Sequence, residues 1–112
     1  MKTFISPTTK NLILDTLGDA TNGIIRISIY DNNNTQIGSE QVIAWGNSTS
    51  GIMTMTSADI VFSVPAITVI NGVILWFYDG SLSTAITHVF EEQKIFNNAG
   101  TLTVTDVTLT VL

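Results

Sequence analysis

Cysteine is absent from the 112 residues, and with it go disulfides, thiolate-ligated zinc and thiol nucleophiles. Charge is scarce too. Asp, Glu, Lys and Arg make up 12% of the chain, against a usual share of roughly 25%. Positive charge is rarest, with only Lys2, Lys10, Arg26 and Lys94 against nine acidic residues, for a net charge of −5. No basic stripe exists to neutralise phosphates, so nucleic acid is not an expected partner. Long apolar runs are missing as well. None approaches the ~18 residues of a spanning helix, and Met1–Pro7 lacks the apolar core of a signal peptide. The chain therefore reads as soluble, with no membrane partner and no export signal.

Thr, Ser and Asn stand where the charges would be, and apolar residues make up 45% of the chain. Disorder needs the opposite balance, low hydrophobicity with high charge. Threonine packs well on a pleated surface, so the composition favours β-structure in one domain, 1–112, with a short N-terminal arm, 1–7.

The densest apolar run is Val73–Tyr78, bracketed by Asn71-Gly72 and Asp79-Gly80. Both dipeptides favour the positive φ angles of tight turns. Six residues suit a strand better than a helix. Val73, Leu75 and Phe77 would face one way and Ile74, Trp76 and Tyr78 the other. Both faces are apolar, so a central strand covered on both sides is expected, the second cover being another layer, a helix or a partner subunit.

Before that run, Lys2–Ser6 reads as an extended arm ended by Pro7. A threonine N-cap at Thr8-Thr9, Leu14 and Leu17 three apart, and Gly18 as a stop signal predict a helix of about two turns; the competing reading is a strand from Leu12 to Leu14. Alternating patterns predict strands over 23–30, 36–45 and 52–56, and two more over 58–64 and 66–70 separated by Pro65. After the central strand come 84–90, ended by Glu91-Glu92, and a final strand over 101–112. In the final strand Leu102 and Val104 share one parity, while Val107, Leu109 and Val111 take the other. That change of phase at Thr105-Asp106 requires a bulge or a strand that passes from one sheet to another. Seven to eight short antiparallel strands point to an all-β fold, a β-sandwich with jelly-roll-like or Greek-key wiring.

Candidate sites are few. His88 is the single histidine and lies mid-strand with no nucleophile elbow, so packing or surface exposure is the expected role. Asp31-Asn-Asn-Asn-Thr35 offers oxygens at alternate positions, but Gln36 and Val42 stand where a calcium loop needs Gly and Glu, leaving a hairpin turn. Glu91 and Glu92 are adjacent and would point to opposite faces. Asn47-Ser-Thr49 matches a glycosylation triplet, taken as coincidence without an export signal. Trp76 reads as core. Trp45, just before the polar loop 46–51, and Tyr30 are the candidates for stacking on a ligand such as a sugar ring. No residue set offers acid, base and nucleophile together, so no enzyme, no metal and no cofactor are expected.

Several of these stretches resemble small virion proteins of tailed bacteriophages. They are Gly72-Val-Ile-Leu-Trp-Phe-Tyr-Asp-Gly80, the threonine-rich strand ending in His88-Val-Phe90, the closing Phe96–Thr110 segment, and Gly23-Ile-Ile-Arg-Ile-Ser-Ile-Tyr-Asp31. The likeness spans about residues 12–112 as a pattern of strands and turns. The Ser57–Ile70 region departs from it in having fewer glycines and alanines. The resemblance implies a structural component of the virion, of the capsid decoration (cement) kind. It further implies a homo-oligomer, a trimer first, bound to the major capsid protein on the capsid surface. Phe4, Ile5 and Pro7 would then supply a capsid or subunit interface, the short arm adding a strand to a capsid edge. The alternative is a carbohydrate- or receptor-binding module of a phage tail or fibre, centred on Trp45 or Tyr30.

Overall fold

The computed structural model describes residues 5–111. One helix and eight strands follow in order: α1 (Pro7–Leu17), β1 (Ile24–Asp31), β2 (Gln36–Val42), β3 (Ile52–Thr54), β4 (Ile60–Val64), β5 (Thr68–Tyr78), β6 (Leu82–Phe96), β7 (Gly100–Val104) and β8 (Thr108–Thr110). The protein is mostly β, and every pairing is antiparallel.

The helix starts earlier than expected. Ser6, not a threonine, is the N-cap: its Oγ accepts from the Thr9 amide at 3.2 Å. Pro7 is then the first helical residue, where its missing N–H costs nothing and its fixed φ suits the turn. The expected arm is therefore shortened. Pro7 belongs to α1, Ile5 is exposed just ahead of the cap, and Phe4 lies outside the described residues.

β5 is an inner strand of a four-stranded sheet ordered β2-β1-β5-β6. Val73 and Leu75 are buried on one face, while Ile74, Trp76 and Tyr78 on the other remain half-buried. The second cover expected for this strand is not supplied by the described chain. Asn71-Gly72 is not a turn either; β5 runs straight through it. Glycine is needed there for close packing, because a Cβ on Gly72 would run into the His88 carbonyl and stand 2.7 Å from the Tyr30 hydroxyl. Asp79-Gly80 does form the expected turn, with Gly80 at φ 101° and Tyr78 paired with Leu82 across it.

The second half of the chain is one long hairpin that folds over. Val64 pairs with Gly100, and Thr68 pairs with Phe96. Pro65–Ile67 on one strand and Asn97–Ala99 on the other thus bend side by side with no slip in register. Ile67, at φ 58°, takes the left-handed conformation in this bend. A second bend follows at Thr105-Asp106, where Asp106 has φ 52°. Beyond it the partner of the closing segment changes from β4 to β3. The predicted change of phase is a strand passing from one sheet to another, and Asp106 supplies the corner.

The core joins both sides of these bends. Ile27, Ile29, Ile70, Val73 and Leu75 of the four-stranded sheet pack with Ile60, Phe62 and Val64 of β4, and Leu102, Val104, Val107 and Leu109 close over them half-buried. Burying each large aliphatic side chain contributes about 1.5–3 kcal/mol. At the β2 side the Gln41 side-chain amide of β2 donates to the Val61 carbonyl of β4, and Trp45 forms a bridge with Met55.

Candidate functional site

The opposite side is open. β6 pairs with β5 along one edge only, and β7 and β8 each have a single partner among the described strands. Between them lies a cleft of about 510 Å³. Its walls are Val73, Leu75, Ile86 and Phe90 from the sheet, faced by Leu102 and Val107. This size falls within the range of small-molecule and peptide-anchoring pockets, roughly 300–1,000 Å³.

The polar groups of the cleft are hydroxyls of the β7–β8 threonines, His88 and Lys94, with no carboxylate in the lining. His88 meets the Phe90 ring edge-on, with centroids 5.9 Å apart. The Lys94 ammonium stands 5.9 Å from the centre of the same ring, within cation–π reach. A histidine with an aromatic neighbour and no acid in the lining has no partner to orient it as a base. It acts here as a wall residue.

β6 continues past Glu91-Glu92 to Phe96, longer than its sequence pattern predicts. A wide bulge makes this feasible: Ile70 pairs with Lys94 and Gly72 with Val89, so Asn71 alone faces Phe90–Gln93. The Gln93 side-chain amide closes the bulge by donating from Nε2 to Asn71 Oδ1 at 2.8 Å. The two carboxylates sit inside this bulge, exposed. A three-residue excess has no simple sequence signature, which is why the apolar pattern stops at Phe90 although the strand continues.

The expected stacking residues are placed otherwise. Tyr30 is only 3% exposed, its ring lying across Gly72, so neither face is open to a sugar. Trp45 packs against the core, and its indole N–H donates to the Ile24 carbonyl at 2.9 Å. It forms one wall of a smaller cleft of about 140 Å³ with Arg26 and Val42. Trp76, read from sequence as core, lies on the outer sheet face, cross-strand from Arg26, and donates its N–H to the buried Ser28 hydroxyl at 2.8 Å. Strand parity alone placed Trp76 on a face; which face meets the core is decided by β4 and β7.

The remaining polar features hold loops in place. Asp31 Oδ1 accepts from the amides of Asn33 and Thr35, both at 2.9 Å. This is the bonding of a hairpin turn that uses its own carboxylate. Asp19 accepts from the amides of Asn22 and Thr21, which hold its carboxyl below the usual range. Glu40 is lowered by its own amide first, then by Gln36 and by the nearby Arg26 charge. The polar loop after Trp45 is fastened to α1, with Ser48 Oγ 2.7 Å from Asp15 Oδ1 and the Gly51 amide 2.9 Å from Asn11 Oδ1. Among the described residues, no three His, Asp or Glu side chains gather as a metal site, and no helix is long and apolar enough to cross a membrane.

No protein-family model matches this chain, and no curated protein or solved structure matches it.

Proposed function

We propose that the protein is a structural component of a tailed-phage particle, a capsid decoration protein that binds and stabilises the major capsid shell through extended contacts. The observation that carries this reading is the open side, where an unpaired strand edge runs beside an apolar cleft with no converging acid, base and nucleophile. Such a surface suits the main-chain pairing and side-chain anchoring of another polypeptide. The segments that resemble phage virion proteins, Gly72–Gly80 and Phe96–Thr110, are parts of the folded hairpin that builds this side. Two adjacent strands wound together across two layers also support a jelly-roll-like β-sandwich. Low surface charge suits permanent contacts, because interface centres are depleted in charged residues.

A second contribution comes from the N-terminal segment. Ile5 and Phe4, ahead of the Ser6 cap, would add a strand to a capsid edge, whereas Pro7 is committed to α1. The carbohydrate- or receptor-binding alternative is weaker, because Tyr30 has no open face and Trp45 packs on the core.

The test is mass spectrometry of purified particles, followed by binding of the recombinant protein to undecorated shells. Recovery in a fixed ratio to the major capsid protein, with saturable binding to shells, is the expected result. Recovery with tails alone, or glycan binding without shell binding, would overturn the reading.

A further inference from the structure

Ile67 breaks two rules at once. Among the described residues, the non-glycine positions with positive φ are Asn34, Ser50, Ile67 and Asp106. Asn and Asp enter the left-handed region most readily, and Ser50 is small. Ile67 is β-branched, and its φ of 58° crowds that branch against its own backbone. Its side chain gains nothing inside the fold in return. It is 91% exposed, the highest value for any large apolar residue described. Glycine or asparagine would suit the same bend with less strain and leave no apolar surface in water.

The bend itself is imposed by its surroundings. Val64 pairs with Gly100 and Thr68 with Phe96, so paired strands hold Pro65–Ile67 on both sides. Strain kept in this way, without a packing gain, points to a residue retained for contact outside the fold. The adjoining surface agrees. Ile95 is 68% exposed, and Val69, its partner across the ladder, is half-buried. No charged residue occurs in Ser63–Tyr78 on one side of the bend or in Ile95–Thr105 on the other.

We infer that Ile67 is a protruding anchor that inserts into an apolar, uncharged pocket of a protein partner, with Ile95 at the rim. The inference rests on the structural role proposed above: the partner is the capsid shell, and the bend is a second contact beyond the β6 edge and its cleft. Chemistry selects a pocket in another protein over the other occupants. A bilayer would cover little more than these two side chains, which leaves binding on the order of millimolar. Even a whole acyl chain anchors only marginally, and a net charge of −5 opposes an anionic surface. A second copy meeting this one about a two-fold axis at the bend would set Ile67 against Ile67, two knobs and no pocket. A pocket that encloses a single side chain and excludes water is where one residue contributes most to an interface.

Ile67→Asn tests both halves of the argument. Asparagine accepts left-handed backbone, so the variant should melt about 2–6 °C above wild type. Its binding to undecorated shells should weaken by about tenfold or more. Ile67→Gly relieves the strain but loosens the unfolded chain; it should bind as weakly whether or not it melts higher. A change that stabilises the fold and costs binding separates a contact residue from a structural one. Unchanged shell affinity in the two variants overturns the inference. A lower melting midpoint for Ile67→Asn also overturns it, because Ile67 would then be packing within the fold. Ultracentrifugation and flotation with phosphatidylcholine–phosphatidylglycerol vesicles complete the test. Self-association or vesicle binding that Ile67→Asn abolishes would give the anchor another occupant and overturn the inference too. A wild type that binds no shells removes the capsid reading and the anchor together, whereas variants that bind shells like wild type remove the anchor alone.

Discussion

Replacing Gly72 by alanine should be among the most damaging single-methyl changes in this protein. Gly72 lies mid-strand in β5, opposite Tyr30 of β1 and Val89 of β6. A Cβ there would collide with the His88 carbonyl and come within 2.7 Å of the Tyr30 hydroxyl and 2.9 Å of its ring. The carbonyl is backbone within a paired strand, so it cannot swing away as a side chain would. Tyr30 is 3% exposed and enclosed by its neighbours. Overpacking of this kind costs about 1–3 kcal/mol, and two immovable neighbours place Gly72→Ala at the upper end. For a domain of this size, that lowers the melting midpoint by about 10–15 °C. Gly80→Ala is the control. Nothing lies within 4 Å of a Cβ at that position, and only its φ of 101° opposes a side chain, for a cost of about 1–2 kcal/mol. Thermal and urea unfolding of the two variants compare crowding with backbone strain directly. If Gly72→Ala loses less than Gly80→Ala, Tyr30 does not lie across Gly72 and the packing argument fails.

Trp76→Phe removes the one hydrogen bond that the fully buried Ser28 hydroxyl makes among the described residues and should cost about 1–3 kcal/mol. A double-mutant cycle with Ser28→Ala should then show clear coupling, and additive losses would mean that the bond contributes little. Ser6→Ala removes the cap of α1 and should destabilise by about 0.5–2 kcal/mol in chemical denaturation; an effect of that size from Thr8→Ala, with none from Ser6→Ala, would restore the threonine cap. The Asp19 carboxyl is held low by the Asn22 and Thr21 amides. Its contribution is therefore complete above the unfolded-state value and fades as pH falls through the lower folded one. The stability gap between wild type and Asp19→Asn should stay level at neutral pH and narrow in acid; a gap that widens in acid has the wrong sign for this bonding.

Much of the fold was legible locally. Alternation placed the strands, Asp79-Gly80 gave the hairpin tip, and the parity change at Thr105-Asp106 required the corner that Asp106 supplies. These features depend on residue type within a few positions, which is the range over which sequence pattern acts. The misreadings share one cause. Asn71-Gly72 has turn chemistry but serves close packing, because what crosses it is Tyr30, forty-two positions earlier in the chain. Glu91-Glu92 looked like a strand end because a bulge opposite Asn71 can be seen only once β5 and β6 are paired.

The same division holds for the candidate site. Sequence by itself determined an acidic, cysteine-free β protein, and also the uncharged stretch from Ser81 to Phe90. Tertiary structure alone decided that this stretch is an outer edge beside an apolar cleft, that Trp45 packs on the core, that Tyr30 is buried across Gly72, and that Trp76 lies on the outer face. Strand parity sorts side chains into two sets; only the folding of the long hairpin over the sheet chooses which set is buried and which edge is left without a partner.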